Sequence, residues 1–384
     1  MIYFDNAATT PPIASVQDEY FNPSSPHALG IMAERALKDA RNTIADVLSN
    51  NVETVSSPHP SRPHRSILVD GGGLSSITPS EIVFTSGGTE SNNLAIMGYA
   101  LAHMKQGVTL ISNTYEHPSI LAPMQFAAER GWACVSHDFT QIPPGKVLVS
   151  ISQVNHETGD INNINAIARE IKTKNPAAVI HVDGVQGFCK EFISLENIDM
   201  FSFSSHKCHG PTGVGGLWVK KGIRLTPLLH GGGQEDNRRP GTENVDSIVK
   251  MATIAKHMYD NLNTYYTHVK AIKNALMQTQ EILPDTHINR LCSDVSPYIL
   301  NMSFVGVKGE IVVNALSDKG IYVSMGAACH SRKNAKPALS LMGFAPEIAE
   351  SAVRFSFSHF NTVEEAEIVR DTVARLVTQF RKVL

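Results

Sequence analysis

Residues 199–210 read DMFSFSSHKCHG, and the fold and the chemistry both depend on this stretch. The run Met200-Phe201-Ser202-Phe203 is typical of a strand that enters a hydrophobic core, and Lys207 follows almost directly. An ammonium group in such a place is costly unless it is paired or covalently used. Because only 18% of the chain is charged, Lys207 is the first candidate functional residue.

Similar short β-rich runs recur along the first two thirds of the chain, and helical patterns lie between several of them. This alternation predicts an α/β domain with a largely parallel, buried sheet. The predicted strands lie at 81–87, 107–113, 146–152, 178–184, 198–204 and 215–221, and predicted helices include 91–106 and 162–175.

The pattern changes after about residue 246, where a long helical stretch leads into a mixed region and a charged final helix. We therefore predict a large domain over 14–245 and a smaller α+β domain formed by 1–13 and 246–384. Residues 51–76 are rich in Ser, Pro, His and Gly and resemble a surface insertion. A metal site using His59 and His64 is the weaker reading, and we predict no metal.

Composition limits the possible partners. The formal net charge of −3 gives no basic footprint for nucleic acid or an anionic membrane surface. The N-terminus lacks a basic and apolar signal, and no apolar run is long enough to cross a membrane, so we expect a cytoplasmic protein. Five scattered cysteines without CxxC spacing argue against disulfides and a zinc ribbon, and predict reduced thiols.

Three polar motifs follow predicted strands. In SGGTESNN (86–93), Gly87 and Gly88 open a helix and Thr89 adds a hydroxyl, which favours a bound phosphate. In YEHPS (115–119), His117 is either a helix cap or a ring placed over a planar cofactor. In HVDGVQG (181–187), Asp183 ends a buried strand with no Lys or Arg within six residues, so it needs a cationic partner.

A protonated pyridine nitrogen would satisfy Asp183, and Gln186 could then donate to a ring hydroxyl. A phosphate-binding turn, an aspartate for a pyridinium and a lysine that closes an apolar strand together predict pyridoxal 5'-phosphate, whose aldehyde is attached to a lysine. Lys207 is the predicted lysine.

The chain also resembles a known family, the cysteine desulfurases and the closely related selenocysteine lyases, within the class V aminotransferase-type enzymes. The resemblance implies a fold type I pyridoxal-phosphate enzyme, with a mostly parallel mixed sheet flanked by helices and a smaller α+β domain. It rests on YFDNAATTP (3–11), NPSSPH (22–27), FTSGGTESNNLAI (84–96), EHPSI (116–120), HVDGVQ (181–186), SFSSHKCHGPTGVGGLWVKKG (202–222), GGGQE (231–235), RRPGTENV (238–245), GAACHS (326–331) and VRFSFS (353–358).

The resemblance implies a role for each matching residue. Lys207 would carry the cofactor, and His117 would stack on its ring and move protons. Further cofactor contacts are implied for Gly88, Thr89, Asp183, Gln186, Ser204 and His206. Thr242 would reach the phosphate of a neighbouring subunit, which implies a homodimer. Arg354 would bind the substrate α-carboxylate through its guanidinium, beside Asn6.

Cys329 lies in SMGAACHSRKN (324–334), a Gly-containing sequence with Arg332 and Lys333 close by. An inert buried thiol is the plain alternative, but cationic neighbours favour a thiolate. The resemblance implies that Cys329 takes the sulfur of L-cysteine, leaving L-alanine and an enzyme persulfide. We expect the other four cysteines to be structural.

Two of the departures from the family pattern replace residues within motifs. His156, in VNHETG (154–159), replaces an asparagine that would donate to the ring oxygen, and an imidazole can still donate one hydrogen bond. Asp236 and Asn237 replace a usual Arg-Gly pair.

Three functions agree with these residues. The first is a cysteine desulfurase that passes persulfide sulfur to a protein acceptor, for iron-sulfur cluster assembly, RNA thiolation or a similar pathway. The second is a selenocysteine lyase or another pyridoxal-phosphate β-lyase. The third, a non-catalytic scaffold, is disfavoured because Lys207, Asp183, Arg354 and Cys329 are all present.

Overall fold

A computed structural model describes residues 1–13, 20–49, 77–325 and 338–383. The chain forms two compact units. The larger unit comprises Pro12–Gln153 and Asn163–Asn261, and the smaller unit comprises Met1–Pro11, Val154–Asn162 and Leu262–Leu384. The predicted insertion at 51–76 and the predicted nucleophile Cys329 lie outside the described residues.

A seven-stranded mixed sheet is the centre of the larger unit. Its strands are β2 (Ile82–Thr85), β3 (Val108–Ile111), β4 (Cys134–Ser136), β5 (Lys146–Ser152), β6 (Val179–Asp183), β7 (Met200–Ser204) and β8 (Gly215–Val219). Their spatial order is β2-β8-β7-β6-β5-β3-β4, and β8 runs antiparallel to the other six strands. The six strands predicted from the apolar runs are confirmed, and they are largely buried, as expected of a parallel sheet covered on both faces.

Among the described residues, five α-helices accompany this sheet: α1 (Ala28–Ser49), α2 (Gly88–His103), α3 (Pro118–Glu129), α4 (Ile164–Lys174) and α5 (Val245–Asp260). Three of them begin where a side chain accepts a backbone N–H: His117 caps α3, Asn163 caps α4 and Asn244 caps α5. The core joins helix residues such as Leu94, Tyr99 and Met124 to strand residues on the same face of the sheet. This packing fixes the helix N-termini beside the strand ends, where the predicted site lies.

The boundary of the larger unit falls at Asn261, whereas the sequence placed it at 245. The difference arises because α5 packs along α1 and buries Ile248, Met251 and Ala255. The long predicted helical stretch is also divided, because α5 ends at Asp260 and α6 begins at Leu262. In addition, residues 154–162 belong to the smaller unit.

Residues Glu235, Asp236 and Asn237 form a left-handed turn in the larger unit, with φ values of 51°, 53° and 61°. Side chains other than glycine rarely adopt this conformation, although Asn and Asp tolerate it best. The turn is held because the Glu235 carboxylate accepts hydrogen bonds from Arg41 at 2.6 and 2.8 Å and from the Phe84 N–H at 2.9 Å.

The smaller unit is α+β, as predicted. Its strands β9 (Thr286–Ile288), β10 (Ile299–Phe304) and β12 (Ala352–Ser356) form an antiparallel sheet with β10 in the middle, while β1 (Ile2–Tyr3) pairs in parallel with β11 (Ile321–Tyr322). The chain's N-terminus therefore returns to this unit, as expected. Its helices are α6 (Leu262–Met277), α7 (Thr279–Ile282), α8 (Gly309–Ser317), α9 (Ala338–Leu341), α10 (Pro346–Glu350) and α11 (Val363–Arg381).

Helix α11 begins at a capping box formed by Thr362 and Glu365 and packs on α6 and α8. In the described part of the chain, no helix has the length and apolar character needed to cross a membrane.

Candidate active site

The turn between β2 and α2 in the larger unit contains the glycines of the predicted phosphate site. Gly87 has φ 150° and ψ −177°, a conformation essentially restricted to glycine, and it precedes the first residue of α2. A Cβ on Gly88 would lie 2.5 Å from Val185 Cγ2, so a larger residue would need a rearrangement. A Cβ built on Gly87 would lie 3.8 Å from Ser204 Oγ, which is buried and has no hydrogen-bond partner among the described residues.

Asp183 ends β6 with its side chain buried. Its carboxylate accepts hydrogen bonds from Asn92 Nδ2 at 2.8 Å and from the Val185 N–H at 3.0 Å, both neutral donors. Within the described chain, no Lys, Arg or His forms an ion pair with it. A buried carboxylate with neutral partners alone is suited to receive a cation.

These two observations fit pyridoxal phosphate. Its phosphate needs donors such as the Ser204 hydroxyl and the N–H groups at the start of α2, and its protonated ring nitrogen needs an anion such as Asp183. The strands β2, β6 and β7 point their carboxyl ends to one edge of the sheet, which is where open α/β sheets bind ligands.

His206 and Lys207 lie in a one-turn 3-10 helix, Ser205–Lys207, which directly follows β7. Burial, with smaller effects from Lys207 and Lys190, lowers the pKa of His206 to about 4. His206 is therefore neutral at physiological pH. In that form it can donate one hydrogen bond and accept another.

Gln186 is paired with a buried lysine. The Lys190 Nζ lies 3.3 Å from Gln186 Oε1, and burial lowers the pKa of Lys190 to about 8. Because Nζ can only donate, it fixes the Gln186 oxygen and orients the amide N–H group the other way.

His117 is a helix cap as well as a candidate ring contact. Its Nδ1 accepts the Ser119 N–H at 3.1 Å and lies 2.8 Å from Ser119 Oγ. The neighbouring Glu116 is buried, and its Oε1 accepts the Ser152 N–H at 3.2 Å. Burial, with a further contribution from the Asp183 charge, raises the pKa of Glu116 to about 7.

In the smaller unit, Arg354 lies on β12 with its side chain buried. Its Nη1 donates to the His156 carbonyl at 2.8 Å and lies 3.6 Å from Glu157 Oε1, while Nη2 lies 3.4 Å from Asp5 Oδ1. Its Nε has no hydrogen-bond partner among the described residues. The His156 Nε2 lies 3.6 Å from the Glu157 carboxylate.

Asn6 is buried in the same unit. Its amide nitrogen donates to the carbonyls of Ser356 at 3.0 Å and Tyr3 at 3.2 Å, and its Oδ1 has no partner within the described structure. The residue can therefore offer an acceptor to a ligand rather than a donor.

Thr242 in the larger unit is exposed. The thiols of Cys189 and Cys208 are buried, and Cys208 Sγ donates to the Ser205 carbonyl at 3.2 Å, in agreement with a structural role. Cys134 and Cys292 are exposed.

Comparison with known proteins shows to which family the chain belongs. The sequence profile of the class-V aminotransferases matches residues 75–369. The chain belongs to this family. It is 36% identical over 397 residues to the NifS/IcsS protein homolog of Lactobacillus delbrueckii subsp. bulgaricus, spanning 96% of this chain and 94% of that protein.

Two further class-V relatives are similar over nearly the whole length. The chain is 32% identical to the cysteine desulfurase IscS of Buchnera aphidicola subsp. Baizongia pistaciae, covering 99% of this chain and 93% of that protein. The solved structure of a NifS-like protein superposes with a TM-score of 0.85 at 31% identity, covering 98% of this chain and 99% of that one. The fold and the family predicted from the motifs are confirmed, and pyridoxal phosphate is the cofactor of this class-V family.

Sequence reasoning did not find four residues beside the class-V site: Asn92, Glu116, Ser119 and Lys190. Asn92 and Glu116 lie inside the quoted motifs SGGTESNN and YEHPS, where an amide or carboxylate at a strand end was the available signal. Lys190 was the nearest cation to Asp183 in sequence, but in the structure it pairs with Gln186.

Proposed function

We propose that the protein is a pyridoxal-phosphate-dependent cysteine desulfurase that converts L-cysteine into L-alanine. The observation that carries the proposal is the pairing of strand ends β6 and β7, which are adjacent and parallel. One ends in the buried Asp183, which has neutral partners only, and the other leads directly to Lys207. The ends of two neighbouring strands thus supply an anion for the ring nitrogen, Asp183, and an amine for the aldehyde, Lys207.

The bound cofactor supplies an electron sink for the bond-breaking step. The chain's own residues would hold it: Asp183 would bind the ring nitrogen, Gln186 would donate to the ring oxygen, and His117 would stack on the ring. Gly88, Thr89, Ser204 and His206 would contact the phosphate. Lys207 provides the attachment and moves the proton at the substrate α-carbon.

Arg354 is proposed to bind the substrate α-carboxylate. A guanidinium presents donors in a planar fork that matches a carboxylate, and the buried Arg354 Nε has a hydrogen that no described residue accepts. The carboxylates of Asp5 and Glu157 hold the guanidinium in place. Asn6 Oδ1 is suited to accept a hydrogen bond from the same amino acid.

Cys329 is proposed to receive the sulfur as a thiolate. The Cβ–S bond of the substrate breaks, an S–S bond forms to Cys329 Sγ, and a proton replaces sulfur on Cβ. L-Cysteine and an enzyme thiol thus yield L-alanine and an enzyme persulfide, and no external oxidant is needed. The names of the IscS relatives support this reaction.

His156 is proposed to take the place of the family asparagine at the ring oxygen. Its imidazole has a single donor when neutral and two when protonated. The Glu157 carboxylate lies 3.6 Å from its Nε2.

A homodimer, a protein sulfur acceptor and a cytoplasmic location complete the proposal. The exposure of Thr242 supports a dimer, because the resemblance assigns this residue to the phosphate of a second subunit. Apolar side chains before and at the start of α1 support it too, since Phe21, Leu29 and Met32 are 54, 46 and 58% exposed. Transfer to iron-sulfur assembly is the pathway that the IscS relatives suggest.

The test is to incubate the purified protein with L-cysteine and to measure alanine and protein-bound persulfide. Wild-type protein should form both, and Cys329→Ala should bind cofactor and substrate yet release no alanine. Cys134→Ala serves as the control, since it removes an exposed thiol outside the motifs. If Cys329→Ala releases alanine at the wild-type rate, the persulfide mechanism is wrong. Much faster turnover of selenocysteine than of cysteine would assign a lyase instead.

A further inference from the structure

His117 Nδ1 has two neighbouring donors, both from Ser119. The Ser119 backbone N–H lies 3.1 Å away and the Ser119 hydroxyl oxygen lies 2.8 Å away. A backbone N–H can only donate, so Nδ1 must present its lone pair. The proton of the neutral ring is therefore on Nε2.

The role of the Ser119 hydroxyl follows from its contact with Asn92. Asn92 Nδ2 lies 2.8 Å from Ser119 Oγ and 2.8 Å from Asp183 Oδ2. An ionised carboxylate only accepts, so the nitrogen end of the Asn92 amide must face Asp183. That amide gives one hydrogen to Asp183 and the other to Ser119, and Ser119 then gives its own hydrogen to His117.

Every donor and acceptor in this chain of hydrogen bonds is thus determined from its two ends, the Asp183 carboxylate and the Ser119 N–H. The two side chains that link Asp183 to His117, Asn92 and Ser119, leave no second arrangement with all bonds intact. Asn92 and Ser119 are buried, with exposed fractions of 0 and 7%, so water does not readily replace a lost partner.

We propose that Ser119 and Asn92 are positioning residues that hold His117 as a neutral hydrogen-bond donor through Nε2 and tie its ring to Asp183. The inference rests on the proposed function, in which His117 lies on the cofactor. It changes the role implied by the resemblance, because a ring whose lone pair is occupied by two donors is a poor base. Proton transfer then falls to Lys207.

The direct test reads the tautomer by nitrogen NMR on the full-length cofactor-loaded protein labelled with 15N-histidine. The His117 signals are assigned by their loss in His117→Asn. We expect Nδ1 to resonate as an unprotonated nitrogen and Nε2 as a protonated one at neutral pH. A protonated Nδ1 in the wild type would overturn the proposal.

The second test removes the hydroxyl. Ser119→Ala takes one donor from His117 and leaves Asn92 with an unused N–H, so the loss of one net hydrogen bond of about 1 kcal/mol predicts a roughly fivefold lower kcat. KM for L-cysteine should change less than twofold. Ser119→Thr keeps the hydroxyl and should restore kcat. Ser247→Ala, also in the first turn of a helix, should leave kcat unchanged.

An unchanged kcat in Ser119→Ala, or equal losses in the Ala and Thr variants, would contradict a positioning role for the hydroxyl. The two proposals fail separately. A protein that forms no alanine from L-cysteine would refute the desulfurase function, while the tautomer measured by NMR would still test the inference about His117.

Discussion

Replacing Glu116 by Gln should remove one contribution to the pH dependence of the free energy of unfolding. Glu116 is buried beside Asp183, and burial, together with the Asp183 charge, raises its pKa from 4.5 to about 7. The carboxyl Oε1 accepts the Ser152 N–H and the Asn113 amide, and the Gln oxygen can keep both bonds. The substitution therefore removes the titration while it preserves the size of the side chain.

The sign follows from proton binding. Because the folded pKa lies above the unfolded one, the native protein binds more protons than the unfolded chain between pH 4.5 and 7, and it loses stability as pH rises through this range. Over the whole range, the titration of Glu116 lowers the free energy of unfolding by about 3 kcal/mol, at 1.36 kcal/mol per pKa unit. Between pH 5 and pH 8.5, Glu116→Gln should gain about 2.5 kcal/mol relative to wild type.

Thermal unfolding of cofactor-depleted protein measures this gain. With a specific unfolding entropy of about 2.1 cal/mol/K per residue over 384 residues, 2.5 kcal/mol corresponds to about 3 °C in Tm. The exposed Glu196→Gln is the control and should show no such pH dependence. Added pyridoxal phosphate should reduce the difference, since a cation beside Asp183 offsets that charge. A Tm difference between Glu116→Gln and wild type that stays constant from pH 5 to pH 8.5 would refute the reasoning.

Three further predictions concern the cofactor and the left-handed turn. Lys207→Ala should lose the borohydride-reducible attachment of pyridoxal phosphate, detected by mass and visible absorbance, whereas the exposed Lys221→Ala should keep it; retained attachment would exclude Lys207. His156→Asn should preserve cofactor binding but shift the pH at which the cofactor spectrum changes, and an identical spectral titration would mean that His156 does not contact the ring oxygen. Asn237→Gly should be more stable to heat than Asn237→Ala by about 1 kcal/mol, because glycine adopts φ near 61° without strain; equal Tm values would contradict this.

The central sheet could be predicted from sequence because its strands are continuous apolar runs that end in polar motifs. The edge strand β4 was missed, since Cys134–Ser136 is three residues long and its first side chain is exposed. Helix α1 was missed as well, because exposed Leu29, Ile31 and Met32 interrupt its amphipathic pattern. The family motifs identified more of the candidate site residues than local sequence patterns alone did.

The contacts that organise the site could not be predicted. Ser119 and Asn92 are 27 positions apart, and their hydrogen bond exists only after two strand-to-helix turns are brought side by side. The pKa of Glu116 likewise depends on burial and on Asp183, which lies on a different strand. The left-handed turn at 235–237 was also unforeseen, although the replacement of a usual glycine by Asn237 pointed to that position.

The parallel pairing of β1 with β11 has a consequence for biosynthesis. Ile2 pairs with Ile321, a separation of 319 residues (321 − 2). At about 5–20 residues per second, a ribosome needs roughly 15–65 s to make the intervening chain. Strand β1 must therefore wait, with its partner not yet synthesised, until β11 has been made. Pairing of β1 with β11 is consequently a late event in the folding of the smaller unit.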